Sequence, residues 1–75
     1  MQKYLVIIEG SDESFSAYVP DLPGCVAAGK SRARVLKLIR EGIAIHLESM
    51  LADGEPIPKP MTSEEIVEPL AATTR

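Results

Sequence analysis

Residues 18–25, Tyr18-Val19-Pro20-Asp21-Leu22-Pro23-Gly24-Cys25, restrict the backbone more than any other stretch of the chain. Pro20 and Pro23 each fix φ near its extended value and lack a backbone donor. Each also pushes the residue before it, Val19 and Leu22, out of helical geometry. No helix or central strand passes through such a segment. Asp21 can cap a local turn with its own side chain, and Gly24 offers the φ > 0 position that a tight reversal needs. The stretch therefore reads as a rigid corner between strands. Two roles are open to it: a turn that merely joins two strands, or a recognition surface, since a loop already stiff costs little entropy to present to a partner.

On either side of the corner the apolar pattern has period two. Lys3 to Glu9 is rich in apolar and β-branched residues, with Tyr4, Val6 and Ile8 on one face and Leu5 and Ile7 on the other, which predicts an interior strand covered on both faces. Gly10 to Glu13 is a polar turn cluster. Ser14 to Val19 then alternates, with Phe15, Ala17 and Val19 facing one way and Ser14, Ser16 and Tyr18 the other, completing a hairpin. Beyond the corner, Cys25 to Ala28 predicts a short third strand of small side chains, ended by Gly29.

The period then changes. From a plausible N-cap at Ser31, the positions Val35, Leu38, Ile39, Gly42, Ile43, His46, Leu47, Met50 and Leu51 follow the i, i+3, i+4, i+7 rule. They predict one long amphipathic helix lying on the sheet. Asp53-Gly54 closes it, and Pro56, Pro58 and Pro60 continue as an extended arm. For the tail, Thr62-Ser63-Glu64-Glu65 has capping-box spacing, whereas Ile66-Val67 before Pro69 suits an edge strand; the strand is preferred. The predicted order is β-β-β-α-β, an α+β fold: a three-stranded antiparallel sheet plus a C-terminal strand, with one long helix on one face. Residues 1–75 make a single domain with a compact core at about 3–54, the arm at 55–60, the edge strand at about 65–69 and a disordered end at 71–75.

Bulk properties narrow the function. At 75 residues only about 60% of the unfolded chain's surface is buried, so an isolated monomer is marginal and oligomerisation is a natural remedy. Two Tyr, one Phe and no Trp leave few platforms for stacking bases. A net charge of −3 argues against non-specific nucleic-acid binding. A single cysteine makes no internal disulfide and fits a reducing, cytoplasmic setting. No signal peptide is expected from the sequence, and no apolar run in it is long enough to span a membrane.

The residues now on the page carry a resemblance. The Tyr4 to Glu9 strand, the run from Phe15 through Pro20-Asp21-Leu22-Pro23-Gly24-Cys25, the small strand ending at Gly29, and His46-Leu47-Glu48 leading to Asp53 through Pro60 are similar to the HicB family of antitoxins from bacterial type II toxin-antitoxin pairs. The resemblance implies a reduced ribonuclease H-like fold. It also implies a partner, the HicA toxin, a small RNA-cleaving protein whose active surface the antitoxin covers. Two departures stand out. Where the family shows acidic residues after the helix N-cap, this chain has Ser31-Arg32-Ala33-Arg34, and Lys30, Arg32, Arg34, Lys37 and Arg40 crowd five of its eight cations into eleven residues. Cations in a first turn oppose the helix dipole at about 0.3–1 kcal/mol each. In addition, many relatives continue into a DNA-binding module, whereas this sequence ends fifteen residues after Pro60, which makes operator binding by this chain doubtful.

Candidate sites follow. The corner, Tyr18 with Pro20 to Cys25, is a structural turn and partner contact; Ile43, Leu47, Leu51, Ile66 and Val67 are candidates for an oligomer interface; the basic cluster has no assigned role and is expected outside the toxin contact. His46 reads as a hydrogen-bonded packing histidine and Cys25 as a structural thiol, with no cofactor or metal expected. Glu9, Asp12, Glu13 and Asp21 would have to converge on two metal ions for nuclease chemistry, which the pattern does not favour. The leading function is neutralisation of a HicA-type toxin by a cytoplasmic homo-oligomer, dimer or tetramer. The alternatives are an orphan oligomeric regulator without a toxin, which the neighbouring gene would decide, and, less favoured, a vestigial nuclease.

Overall fold

The computed structural model describes residues 2–71. Three strands, β1 (Ile7–Ser11), β2 (Ser14–Tyr18) and β3 (Val26–Gly29), form an antiparallel sheet in the order β1-β2-β3, and one helix, α1 (Arg32–Ala52), packs on one face. The α+β class and the single long helix are as the sequence implies.

The corner decides how the sheet ends. The Leu22 amide donates to the Val19 carbonyl (3.0 Å) and the Cys25 amide to the Leu22 carbonyl (3.0 Å), so two β-turns share Leu22. Pro20 and Pro23 each take the second position of a turn, where their fixed φ fits. Gly24 has φ +87°, the value a type II turn demands at its third position. The Val19 amide then donates to the Cys25 carbonyl (3.1 Å), rejoining the two ends of the corner. The result points Val19, Leu22 and Cys25 inward at 2%, 0% and 5% exposure, while Pro23 and Gly24 stay outside. There they join Ala17, Val35 and Ile39, with Tyr4, Val6, Ile8, Phe15, Ala27, Ile43 and Leu47 packed around them. Each fully buried Val, Leu or Ile contributes roughly 1.5–3 kcal/mol.

β1 differs from its expectation in two ways. It begins at Ile7 rather than Lys3, and it takes in Gly10 and Ser11, leaving a two-residue turn at Asp12-Glu13 with Asp12 at φ 56°. The β1–β2 register pairs Ile7 with Tyr18. Continued backward it would set Leu5 opposite Pro20, which has no donor, so the ladder stops where the corner begins. β1 is also an edge strand, not an interior one, and on the helix-free face of the sheet Tyr18 and Val26 are exposed while Ile7 is half-buried.

The helix starts as expected. Ser31 is extended, its Oγ accepts from the Arg34 amide (3.0 Å), and the first turn holds no acidic residue. At the other end the Gly54 amide donates to the Leu51 carbonyl (3.1 Å) and the Glu55 amide to the Met50 carbonyl (2.9 Å). This is a Schellman closure, with Gly54 at φ +74°. Val35 and Ile39 are fully buried, and the rest of the anticipated stripe is half-buried except Leu51. Gly42 in mid-helix lies where an added Cβ would sit 3.8 Å from Cys25 Sγ, an ordinary contact.

The tail does not form the expected strand. Residues 62–71 belong to no strand or helix and all are exposed. Most of the expected disordered end, residues 72–75, lies outside the described residues.

Two glycine replacements should move stability in opposite directions. Gly24→Val forces a β-branched residue into positive φ and should cost more than about 1 kcal/mol. Gly42→Ala meets no clash and should add roughly 0.5–1 kcal/mol through helix propensity. Thermal melts of the two variants check both signs.

Candidate partner-binding surfaces

Three surfaces remain once the core is assigned. The first is the outside of the corner and the arm it holds. After α1 the proline arm turns back across the body: the Tyr4 hydroxyl donates to the Pro58 carbonyl, and Ile57 and Pro58 are half-buried. The Asp21 carboxylate then accepts from the Met61 amide (3.1 Å), the Thr62 amide (3.0 Å) and the Thr62 hydroxyl (2.8 Å). Asp21 therefore anchors a segment forty residues away instead of capping its own turn. The Thr62 amide and hydroxyl, against a smaller opposing effect of burial and with help from the Met61 amide, hold the Asp21 carboxyl below its ordinary value. No local sequence signal marked Thr62 as its partner.

The second surface is the helix-free face of the sheet. Ile7, Tyr18 and Val26 are cross-strand neighbours and form one row across all three strands. Tyr18 is 43% and Val26 69% exposed. The next row is Glu9, Ser16 and Ala28, and the Asp12-Glu13 turn lies beyond it. An apolar strip thus has carboxylates at one end. Sequence reasoning counted Tyr18 with the corner and missed the row, because Val26 becomes its neighbour only through strand pairing.

The third is an open groove of ≈ 720 Å³ between the N-terminal segment and α1. Tyr4 and Val6 form one wall and Leu36, Ile43, Leu47 and Leu51 the other, with Lys3, Arg40 and Glu48 as the charged lining. The anticipated interface residues Ile43, Leu47 and Leu51 come together here. Ile66 and Val67 do not; they stand in the exposed tail at 92% and 70% exposure. The basic cluster, Lys30, Arg32, Arg34, Lys37 and Arg40, is exposed around the start and first half of the helix. The Arg34 stem lies over Gly29, with its Cγ 3.1 Å from where a Cβ would be.

The remaining candidates are chemically quiet. Cys25 is a buried free thiol that burial pushes up from its ordinary value, the reverse of what a nucleophile needs. His46 is half-buried, and its ring has no hydrogen-bond partner among the described residues, so the bonded packing role expected of it is not seen. Glu9, Asp12 and Glu13 lie toward the β1–β2 turn while Asp21, at the far end of β2, is engaged by the arm. The four carboxylates are not brought together, and no cluster of three metal-ligating side chains forms among the described residues.

A small antiparallel sheet backed by one helix and joined through a proline-glycine corner defines the class of this α+β domain. A family profile described as HicB-like antitoxin of bacterial toxin-antitoxin system matches residues 4–72, and the chain belongs to that family. It is 34% identical over 64 residues to a 14.9 kDa protein from the rep-hol intergenic region of Haemophilus phage HP1, spanning 85% of this chain but only 48% of the phage protein. UPF0150 proteins of Synechocystis and Thermoplasma acidophilum are 33% and 36% identical; the matches cover 91% and 83% of this chain and 84% and 91% of theirs. Among solved structures, a chain of the HicA3 and HicB3 toxin-antitoxin complex aligns with TM-score 0.66 and 35% identity over 80% of this chain and 70% of that one.

Two measurements follow. Asp21's lowered value means its ionised form stabilises the docked arm, so that stability is present above the ordinary carboxylate range and is lost as pH falls through the lowered value. Protection of the Thr62 amide from hydrogen exchange should therefore hold at neutral pH, fall in that acid window, and be lost at every pH in Asp21→Ala. Arg32→Glu, which exchanges a cation for an anion at the dipole's positive end, should raise the melting temperature by the equivalent of about 0.3–1 kcal/mol.

Proposed function

We propose that this chain is an antitoxin that binds a HicA-type toxin in the cytoplasm and occludes its RNA-cleaving surface, acting by contact and not by catalysis. The observation that carries this reading is the Ile7–Tyr18–Val26 row, exposed at Tyr18 and Val26, with Glu9, Asp12 and Glu13 at its end, in a chain of the HicB-like antitoxin family. A protein that holds RNA is basic where it does so, and an acidic-edged surface complements it in charge. The apolar strip supplies the desolvated centre that such an interface needs, with Tyr18 the kind of residue that dominates binding energy. Arg32, Arg34, Lys37 and Arg40 of the basic cluster lie on the helix and Lys30 just before it, in the layer on the other side of the sheet. Pro23 and Gly24, the exposed part of the corner, extend the surface at its other end. A solved relative is part of a HicA3 and HicB3 complex, which supports the partner class.

The test is binding to, and growth rescue from, a HicA-type toxin. Tyr18→Glu and Val26→Lys should each weaken binding by roughly 30-fold or more, the loss expected at an interface centre, with the fold intact. The double replacement of Arg32 and Arg34 by Glu should leave rescue unchanged. If the arginine variant loses rescue while the sheet-face variants keep it, the toxin sits on the helix side and this assignment is wrong.

A further inference from the structure

We propose that the exposed tail, residues 64–70, is a docking segment whose receptor is the groove of a second copy of the same chain, so that two molecules exchange tails reciprocally. The inference is independent of toxin binding. It begins with the tail's composition. Ile66 and Leu70 are 92% and 95% exposed, an arrangement with nothing to recommend it in a free segment, and Glu64, Glu65 and Glu68 lie around them with no cation between residues 60 and 71. The groove has the complementary character. Its walls are apolar, Lys3 and Arg40 outweigh Glu48 in its lining, and Leu36 and Arg40 are shared with an adjoining hollow that adds Lys37 and Glu41.

The dimensions agree as well. In an extended chain Ile66 and Leu70 fall on the same face about 13 Å apart, with Glu68 between them. On the groove wall, Ile43 and Leu51 are separated by eight helical residues, about 12 Å. Two apolar anchors can thus meet two apolar positions, and with Ile66 against Ile43 the carboxylates of Glu64 and Glu65, which precede Ile66, fall toward Arg40 at that end of the wall. Pro69, which cannot donate to a ladder, is tolerated in a segment lying beside an open edge such as β1.

The tail's exit selects a second copy over the tail's own body. Asp21 grips Met61 and Thr62 at the corner, and every residue from Met61 to Ala71 is exposed. The molecule measures 57 × 29 × 19 Å with a radius of gyration of 15.8 Å, against about 11 Å for a compact chain of this length. The tail therefore leaves its own body. A two-fold pair, each tail in the other's groove, uses the same contact twice and closes without leaving a tail free.

The experiment uses the full chain without toxin. Sedimentation at tens of micromolar should show a dimer, and the I66D/L70D double variant should sediment as a monomer with an unchanged circular-dichroism spectrum. Replacing Glu64, Glu65 and Glu68 by Lys should weaken dimerisation by roughly tenfold or more, because like charges then face each other. To identify the occupant, C25A chains carrying only I66C or only L70C are each mixed with C25A chains carrying only L51C and oxidised. A disulfide-linked heterodimer is expected from at least one mixture. A monomeric wild type, a dimer indifferent to I66D/L70D, or the absence of a cross-linked heterodimer from both mixtures would each overturn the proposal.

Discussion

Burial of the Leu22 side chain is the constraint on which the rest of this structure depends. It is fully buried although it lies in a loop, between two prolines, on a segment with no ladder of its own. Two turns that share its backbone put it there, and their prolines reduce the entropy lost in holding them. In a 75-residue chain with little core to spare, a buried leucine in the connection lets the corner contribute apolar area as a strand or helix does. It also positions Cys25, which meets the helix at Gly42, so the corner sets how closely sheet and helix approach.

The corner has an outer side with a separate task. While Leu22 points in, the neighbouring Asp21 faces the returning proline arm and holds it through three hydrogen bonds. One rigid segment thus organises the core on one side and directs the C-terminal residues on the other. The arm's prolines make it stiff, so anchoring its far end at Asp21 sets where the tail departs. The surfaces that remain available for partners, the helix-free sheet face and the groove beside β1, are those that neither corner nor arm covers.

Much of the fold was legible in local patterns. The alternation of Phe15, Ala17 and Val19, the Ser31 cap, the helical stripe from Val35 to Met50 and the Gly54 closure depend on neighbours within a few residues, and they appear as read. The errors arise where long-range pairing intervened. Lys3 to Val6 looked like strand, but their ladder partners would have come from the corner, whose prolines cannot supply a regular edge. Ile66 and Val67 looked like strand as well, yet the Asp21 clamp takes the chain past the end of the sheet and leaves no edge beside them.

The sequence by itself determined which segments turn, which alternate and which wind, because proline, glycine and side-chain periodicity act locally and independently of the rest of the chain. It also carried the family resemblance, concentrated in the corner. Only the tertiary structure decided that β1 is an edge, that Ile7, Tyr18 and Val26 form one row, and that Asp21 reaches Thr62. Each of these joins residues far apart in the chain, and no local preference specifies which distant partner a strand or a carboxylate will meet.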